Sequence, residues 1–277
     1  IKGDKKIPLE NLTEIFHESL SNNQCFINLA AIQNNIHLIR KASLPKTRLM
    51  VIVKAFAYGT DDERLAKYLA PIGIDILGVS YVDEGIALKR QGISQAIFAI
   101  NAAVYEAAKV VKYGIEIGVS SEELIVALAE QAKEQKATVK VHLHIDTGMG
   151  RFGCRPEEAL KLAQLILSYP ELHLEGVMTH LACADDPKED AFTFKQVEKF
   201  DQVLDELKEH GIEPKWIHAA NSSATLRFKL ARCNMVRVGL ATYGLSLSPA
   251  VKESLDLRLA LSLTSRIVAI NHCKKGE

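Results

Sequence analysis

Five short blocks in this 277-residue chain place reactive or charge-bearing side chains directly after apolar runs. Lys54 closes Leu49-Met-Val-Ile-Val and leads into Ala-Phe-Ala-Tyr58-Gly59. An amine leaving an apolar wall loses hydration. That lowers its pKa and makes it a nucleophile suited to imine formation with a carbonyl. Position alone leaves open a lysine that merely snorkels from a strand end to water. The other blocks are Asp146-Thr-Gly-Met-Gly-Arg151-Phe-Gly153, Thr179-His180, His218-x-x-Asn221-Ser222 and Arg237-Val-Gly239-Leu240. The planar fork of Arg151 suits a carboxylate. Arg237, bracketed by Val236 and Val238, is expected to point inward.

The elements that must position these blocks are short β-branched runs alternating with longer amphipathic stretches. The runs are 49–54, 74–79, 96–100, 115–119, 139–146, 174–180, 216–220 and 235–240. Thr60-x-x-Glu63 and Ser120-x-x-Glu123 read as capping boxes, and Pro156 with Glu157-Glu158 suits a first helical turn. Eight βα units predict an α/β fold of the (β/α)8 TIM-barrel type. An open doubly wound sheet would carry a Gly-rich nucleotide turn after its first strand, and there is none. In a parallel barrel the residues that do chemistry lie just past the carboxyl ends of the strands, where all five blocks fall. Residues 1–24, with Leu9, Leu12, Ile15, Phe16 and Leu20 on one helical face, read as a leading helix or linker. The barrel is expected over 25–245. Residues 246–277, with apolar runs at 259–264 and 266–270, read as the start of a β-rich C-terminal domain that is cut off.

Thirty-four basic and 34 acidic residues cancel, which disfavours nucleic acid and anionic membrane surfaces as partners. No apolar run reaches the roughly 20 residues of a membrane span. The cysteines at 25, 154, 183, 233 and 273 are odd in number, scattered and without metal-ligand spacing. They read as small apolar side chains in a cytoplasmic protein, with no metal site and no secretory leader.

The block Lys54-Ala-Phe-Ala-Tyr58-Gly59 resembles the lysine-alanine-x-alanine-tyrosine-glycine turn of alanine racemases, barrel-type enzymes that use pyridoxal 5'-phosphate (PLP). The remaining blocks follow in that family's order, so the resemblance runs from about Cys25 to Glu277. It implies PLP-dependent interconversion of L- and D-alanine, which supplies D-alanine for peptidoglycan, by a homodimer of the complete protein. By resemblance Lys54 carries the cofactor and acts as acid/base on one face of Cα. Tyr58 reaches the phosphate, and Arg151 contacts the cofactor's phenolic oxygen and the substrate carboxylate. Arg237 faces the pyridine nitrogen, while His180 and His218 belong to the network around Arg237. Lys54, Arg151, His180 and Arg237 are therefore the expected catalytic group. Lys54, Tyr58, His180, His218, Asn221, Ser222, Arg237, Gly239 and Leu240 are expected to bind the cofactor. The chemistry of these types agrees: a serine at a helix start and the N–H groups of Gly239 and Leu240 can donate to a phosphate. A guanidinium opposite the pyridine nitrogen cannot protonate it.

Two readings compete. One is another barrel-type PLP enzyme, an amino-acid decarboxylase or D-amino-acid lyase; the related decarboxylases place a carboxylate where Arg237 stands. The other is a non-catalytic PLP-binding protein, which has no obvious use for strand material after Leu257. The sequence departs from the family at His144, where many members carry a carbamylated lysine. It also departs at Phe56 in place of asparagine and Thr60 in place of histidine. A neutral His144 could accept a hydrogen bond from Arg151, and no dependence on carbon dioxide is expected. The family's second catalytic tyrosine is expected beyond Lys274-Lys275-Gly276-Glu277, so the chain as given is expected to bind PLP yet racemise poorly. The start at Ile1 suggests a fragment or a processed product. The leading segment is also compatible with the racemase half of a fused muramoyl-tripeptide ligase.

Overall fold

A computed structural model describes residues 22–230, 233–245, 248 and 255–277. The helix expected within residues 1–24 falls almost wholly outside them. Its last residues, Asn23 and Gln24, instead open a strand, β1 (Asn23–Ile27).

Eight parallel strands form the expected barrel: β2 (Arg48–Ile52), β3 (Ile76–Val79), β4 (Ala96–Ala99), β5 (Glu116–Val119), β6 (Val139–His144), β7 (Leu172–Met178), β8 (Trp216–His218) and β9 (Met235–Val238). They pair in sequence order, and β9 returns to β2, with Met50 opposite Arg237. Between β8 and β9 a few bonds close the ring. Asn234 N–H donates to Ile217 O (3.0 Å), Arg237 N–H to Ala220 O (2.9 Å), and the Asn234 side-chain oxygen accepts from Ile217 N–H (2.8 Å). One asparagine thus offers Ile217 both a donor and an acceptor, as a neighbouring strand would.

Six of the runs expected from sequence reach past their strands at the carboxyl end. Lys54, Asp146, His180, Ala220 and Leu240 all lie beyond the last ladder residue, where side chains are released toward the barrel mouth. The outer faces pack on helices in one large apolar core. Met50, Ile52, Ile76, Phe98, Met178 and Met235 fill the barrel interior.

Both expected capping boxes shift by one residue. Asp61 accepts from Arg64 N–H (2.9 Å) and Ser121 from Leu124 N–H (3.4 Å), so these are the caps of Asp62–Leu69 and Glu122–Glu134. Thr60 instead donates to Ala57 O (2.7 Å), which takes its hydroxyl away from the cap.

β1 pairs antiparallel with β10 (Leu261–Ser265), Cys25 opposite Leu263, a small sheet beside the barrel. The second run expected there, 266–270, carries no regular secondary structure and is exposed. The cysteines also differ from expectation. Only Cys154 is buried; Cys183 and Cys233 are half-buried, and Cys25 and Cys273 are exposed. No helix among the described residues is long and apolar enough to cross a membrane.

Candidate active site

A cavity of about 240 Å³ opens at the carboxyl ends of the strands. Lys54, Tyr58, Arg151, His180, Asn221, Ser222, Arg237, Gly239 and Leu240 all contribute to its wall, with His144 among them. His218 does not: it is fully buried beneath Arg237, so its expected contact with a cofactor gives way to a supporting role.

Lys54 begins a turn that sequence reading did not foresee. Ala55, Phe56, Ala57 and Tyr58 all adopt left-handed helical angles, with φ from 52° to 60°, although none is glycine. Each such residue costs roughly 1–2 kcal/mol, so the surroundings must hold the turn. Two groups do so. The Glu84 carboxylate accepts from Ala55 N–H (2.7 Å), Ser80 N–H (2.8 Å) and Tyr81 N–H (3.2 Å). The Tyr243 hydroxyl, in a side chain 1% exposed, donates to Ala57 O (2.8 Å), and its ring meets Tyr58 edge-on with centroids 5.5 Å apart. Burial pushes both tyrosine hydroxyls up to about 12, so they remain protonated donors. Tyr243 was missed because no local spacing marks it: its partner lies 186 residues away. Glu84 caps its own helix through Ser80 and Tyr81, but its bond to Ala55 spans 29 residues.

Ser222 accepts from Gly239 N–H (2.9 Å) and Ala241 N–H (3.3 Å). The Gly239 amide expected to grip a phosphate is therefore already engaged, and the serine hydroxyl, an acceptor twice over, keeps its own proton to donate. The Leu240 N–H has no acceptor among the described residues. Asn221 caps the helix Ser222–Arg227, accepting from Ala224 N–H (3.0 Å) and donating to Leu181 O (3.1 Å). It ties two loops of the mouth together.

Arg237 is 4% exposed. Its Nη1 donates to His218 O (2.8 Å) and His218 Nδ1 (3.0 Å). Its Nη2 donates to Thr179 O (2.7 Å), with His180 Nδ1 (3.2 Å) and Ala219 O (3.3 Å) also in reach. The Nε donor has no acceptor among the described residues, and no carboxylate touches the guanidinium. Burial lowers Arg237 to about 10, which still leaves it charged near neutrality. His144 and His180 are both lowered to about 3, first by burial and then by the positive charges of Arg237 and Arg151. They are neutral imidazoles.

The loop that carries Arg151 is shaped by Asp146. Its carboxylate accepts from Gly148 N–H (2.9 Å), Met149 N–H (2.8 Å) and Gly150 N–H (3.0 Å), bonds that together hold it below the usual carboxylate range against burial. Arg151 is exposed and lies over the Phe152 ring, 5.5 Å from its centroid. No hydrogen bond joins Arg151 to His144; the two share the cavity wall, and the guanidinium lies over the Phe152 ring.

The donor set suits a phosphorylated aromatic aldehyde. A lysine, a serine hydroxyl with a spare proton, an unengaged main-chain N–H and an unengaged guanidinium Nε all belong to residues of one cavity wall.

Residues 27–247 match the family model described as alanine racemase, N-terminal domain. An alanine racemase of Treponema denticola is 38% identical over 255 residues, covering 91% of this chain and 67% of that protein. One of Geobacillus kaustophilus is 37% identical over 255 residues, covering 91% and 65%. The chain thus spans about two thirds of the length of these relatives. Among solved structures, an alanine racemase of Clostridium difficile in complex with cycloserine superposes with a TM-score of 0.85 at 31% identity, covering 91% of this chain and 70% of that one. An alanine racemase of Bacillus anthracis with bound L-Ala-P gives 0.80 at 34% identity, covering 87% and 63%.

Proposed function

The chain belongs to the alanine racemase family, and from that premise we propose that it forms the cofactor-binding barrel of an enzyme interconverting L- and D-alanine with PLP. The observation that carries the proposal is the convergence of Lys54, Tyr58, Ser222 and a buried, carboxylate-free Arg237 on one cavity. Bound PLP supplies an electron sink for the pair left behind when the Cα proton of an amino acid departs. The chain's own residues do the rest. Lys54 would hold the cofactor through its carbonyl carbon, and its amine would carry the Cα proton on one face of the substrate. Tyr58 and Ser222 donate to the phosphate, with the Leu240 N–H beside them. Arg237 donates to the ring nitrogen and, as a guanidinium, keeps its proton. This moderates the sink and disfavours the decarboxylase reading. Arg151 receives the substrate carboxylate.

The test is spectroscopic and then chemical. PLP added to the chain should give a visible absorbance band that borohydride abolishes, and peptide mapping should place the reduced adduct on Lys54. D-alanine formation should accompany it in the complete protein. An adduct confined to other lysines would remove the proposal's foundation.

A further inference from the structure

Four side chains line up across the barrel interior from the amino-terminal end of β5 to the cavity. Glu116 Oε2 lies 3.3 Å from His142 Nε2, His142 Nδ1 lies 2.8 Å from His218 Nε2, and His218 Nδ1 lies 3.0 Å from Arg237 Nη1. Both imidazoles are fully buried, and Glu116 and Arg237 nearly so. A β-carbon on Gly176 would collide with the His142 ring, so that glycine makes the room the column needs.

The proton positions are determined from both ends. A guanidinium only donates, so His218 must present a bare Nδ1 and carry its proton on Nε2. That proton requires a bare Nδ1 on His142, whose own proton then sits on Nε2 facing a carboxylate, which only accepts. Every contact has one donor and one acceptor. The reversed register, with His142 protonated at Nδ1, would turn an N–H of His218 against an N–H of Arg237. Glu116 disfavours it from the other end, where a bare Nε2 of His142 would face the carboxylate.

We propose that Glu116 is a positioning residue: through His142 it fixes the His218 tautomer that accepts from Arg237, and so holds the guanidinium where it meets the cofactor ring. The proposal rests on the functional reading only in its last clause. The carboxylate is suited to the part. Burial opposes its ionisation, yet its bonds from His142 and Lys140 hold it below the usual carboxylate range. Lys140 Nζ lies 3.4 Å away, Lys89 adds positive charge nearby, and a second cavity of about 350 Å³ reaches Glu116 from the far end of the barrel. The column also links a buried cation to a buried anion that never touch, a way to offset two desolvation costs.

Long-range proton–nitrogen NMR of histidine-labelled, cofactor-free protein reads the tautomers directly. Both His142 and His218 should show protonated Nε2 and bare Nδ1. Glu116→Gln keeps an acceptor oxygen and should keep that pattern. Glu116→Met should shift the bare-nitrogen signal of His218 from Nδ1 to Nε2, in full or in part. Should Glu116→Met fail to fold, His142→Phe tests the same link and should shift the same signal. With the complete protein, Glu116→Met should lower kcat about tenfold while KM for alanine moves less than twofold. A folded Glu116→Met or His142→Phe protein with the wild-type His218 pattern overturns the proposal, as does a wild-type His218 protonated at Nδ1. Because the tautomers are read without PLP, failure of the racemase reading would leave that result unchanged.

Discussion

The Tyr58 hydroxyl lies where a β-carbon on Gly239 would have to sit. The φ of Gly239 is −122°, outside the left-handed region, and the collision with Tyr58 is the obstacle an alanine would meet there. Gly239→Ala should therefore fold but displace Tyr58, weakening PLP binding about tenfold in an equilibrium titration. Adding Tyr58→Phe removes the closest clashing atom but also the donor, so it should relieve the strain on folding and leave the affinity loss in place. A Gly239→Ala protein with unchanged affinity would mean that Tyr58 has no part in the binding.

Glu84 restrains the left-handed turn after Lys54 through three main-chain bonds. Glu84→Ala leaves those donors to water and releases a turn whose intrinsic cost is several kcal/mol. Urea unfolding should show about 1–3 kcal/mol of lost stability. Borohydride trapping of PLP on Lys54 should slow, because the amine is no longer held at one place.

Ser222→Ala removes the proposed phosphate donor together with the acceptor that engages the Gly239 and Ala241 N–H groups. Affinity for PLP should fall about tenfold or more, whereas affinity for pyridoxal, which lacks the phosphate, should change little. Equal losses for both ligands would assign Ser222 to holding Gly239 and Ala241 rather than to the ligand.

His144 and His180 are neutral in the folded protein down to about pH 3, and His218 is held well below its ordinary 6.5 by burial and Arg237. Unfolded, all three would bind protons from about pH 6.5 downward. Between pH 6.5 and 3 the unfolded chain therefore takes up more protons, and stability falls as pH falls, by roughly 1.4 kcal/mol per pH unit for each imidazole. Urea midpoints should be flat above pH 7.5 and drop steadily below pH 6. His144→Gln should reduce the slope.

The eight barrel strands were legible because most are compact apolar runs buried on both faces, which a parallel barrel requires, although β6 and β7 interleave lysine, histidine and glutamate. Their carboxyl ends were overrun because Val53, Ile145 and Ala219 continue the apolar pattern after the ladder has stopped. The residues of the cavity wall were legible because they cluster at those ends. Glu84, Tyr243, Glu116 and His142 were not, since each acts on a partner from a different strand or loop. The turn after Lys54 was hidden for another reason. Ala-Phe-Ala-Tyr contains none of the glycine or asparagine that announces positive φ, and only the tertiary bonds around it impose that shape.

The asparagine that joins β8 to β9 has a consequence of its own. His218 and Arg237 stand on opposite sides of that join, which lacks the regular strand pairing that links every other neighbouring pair of the barrel. Amide protons of Ile217 and Asn234 should exchange with deuterium sooner than those of β6 and β7, so the barrel would breathe beside the buried guanidinium.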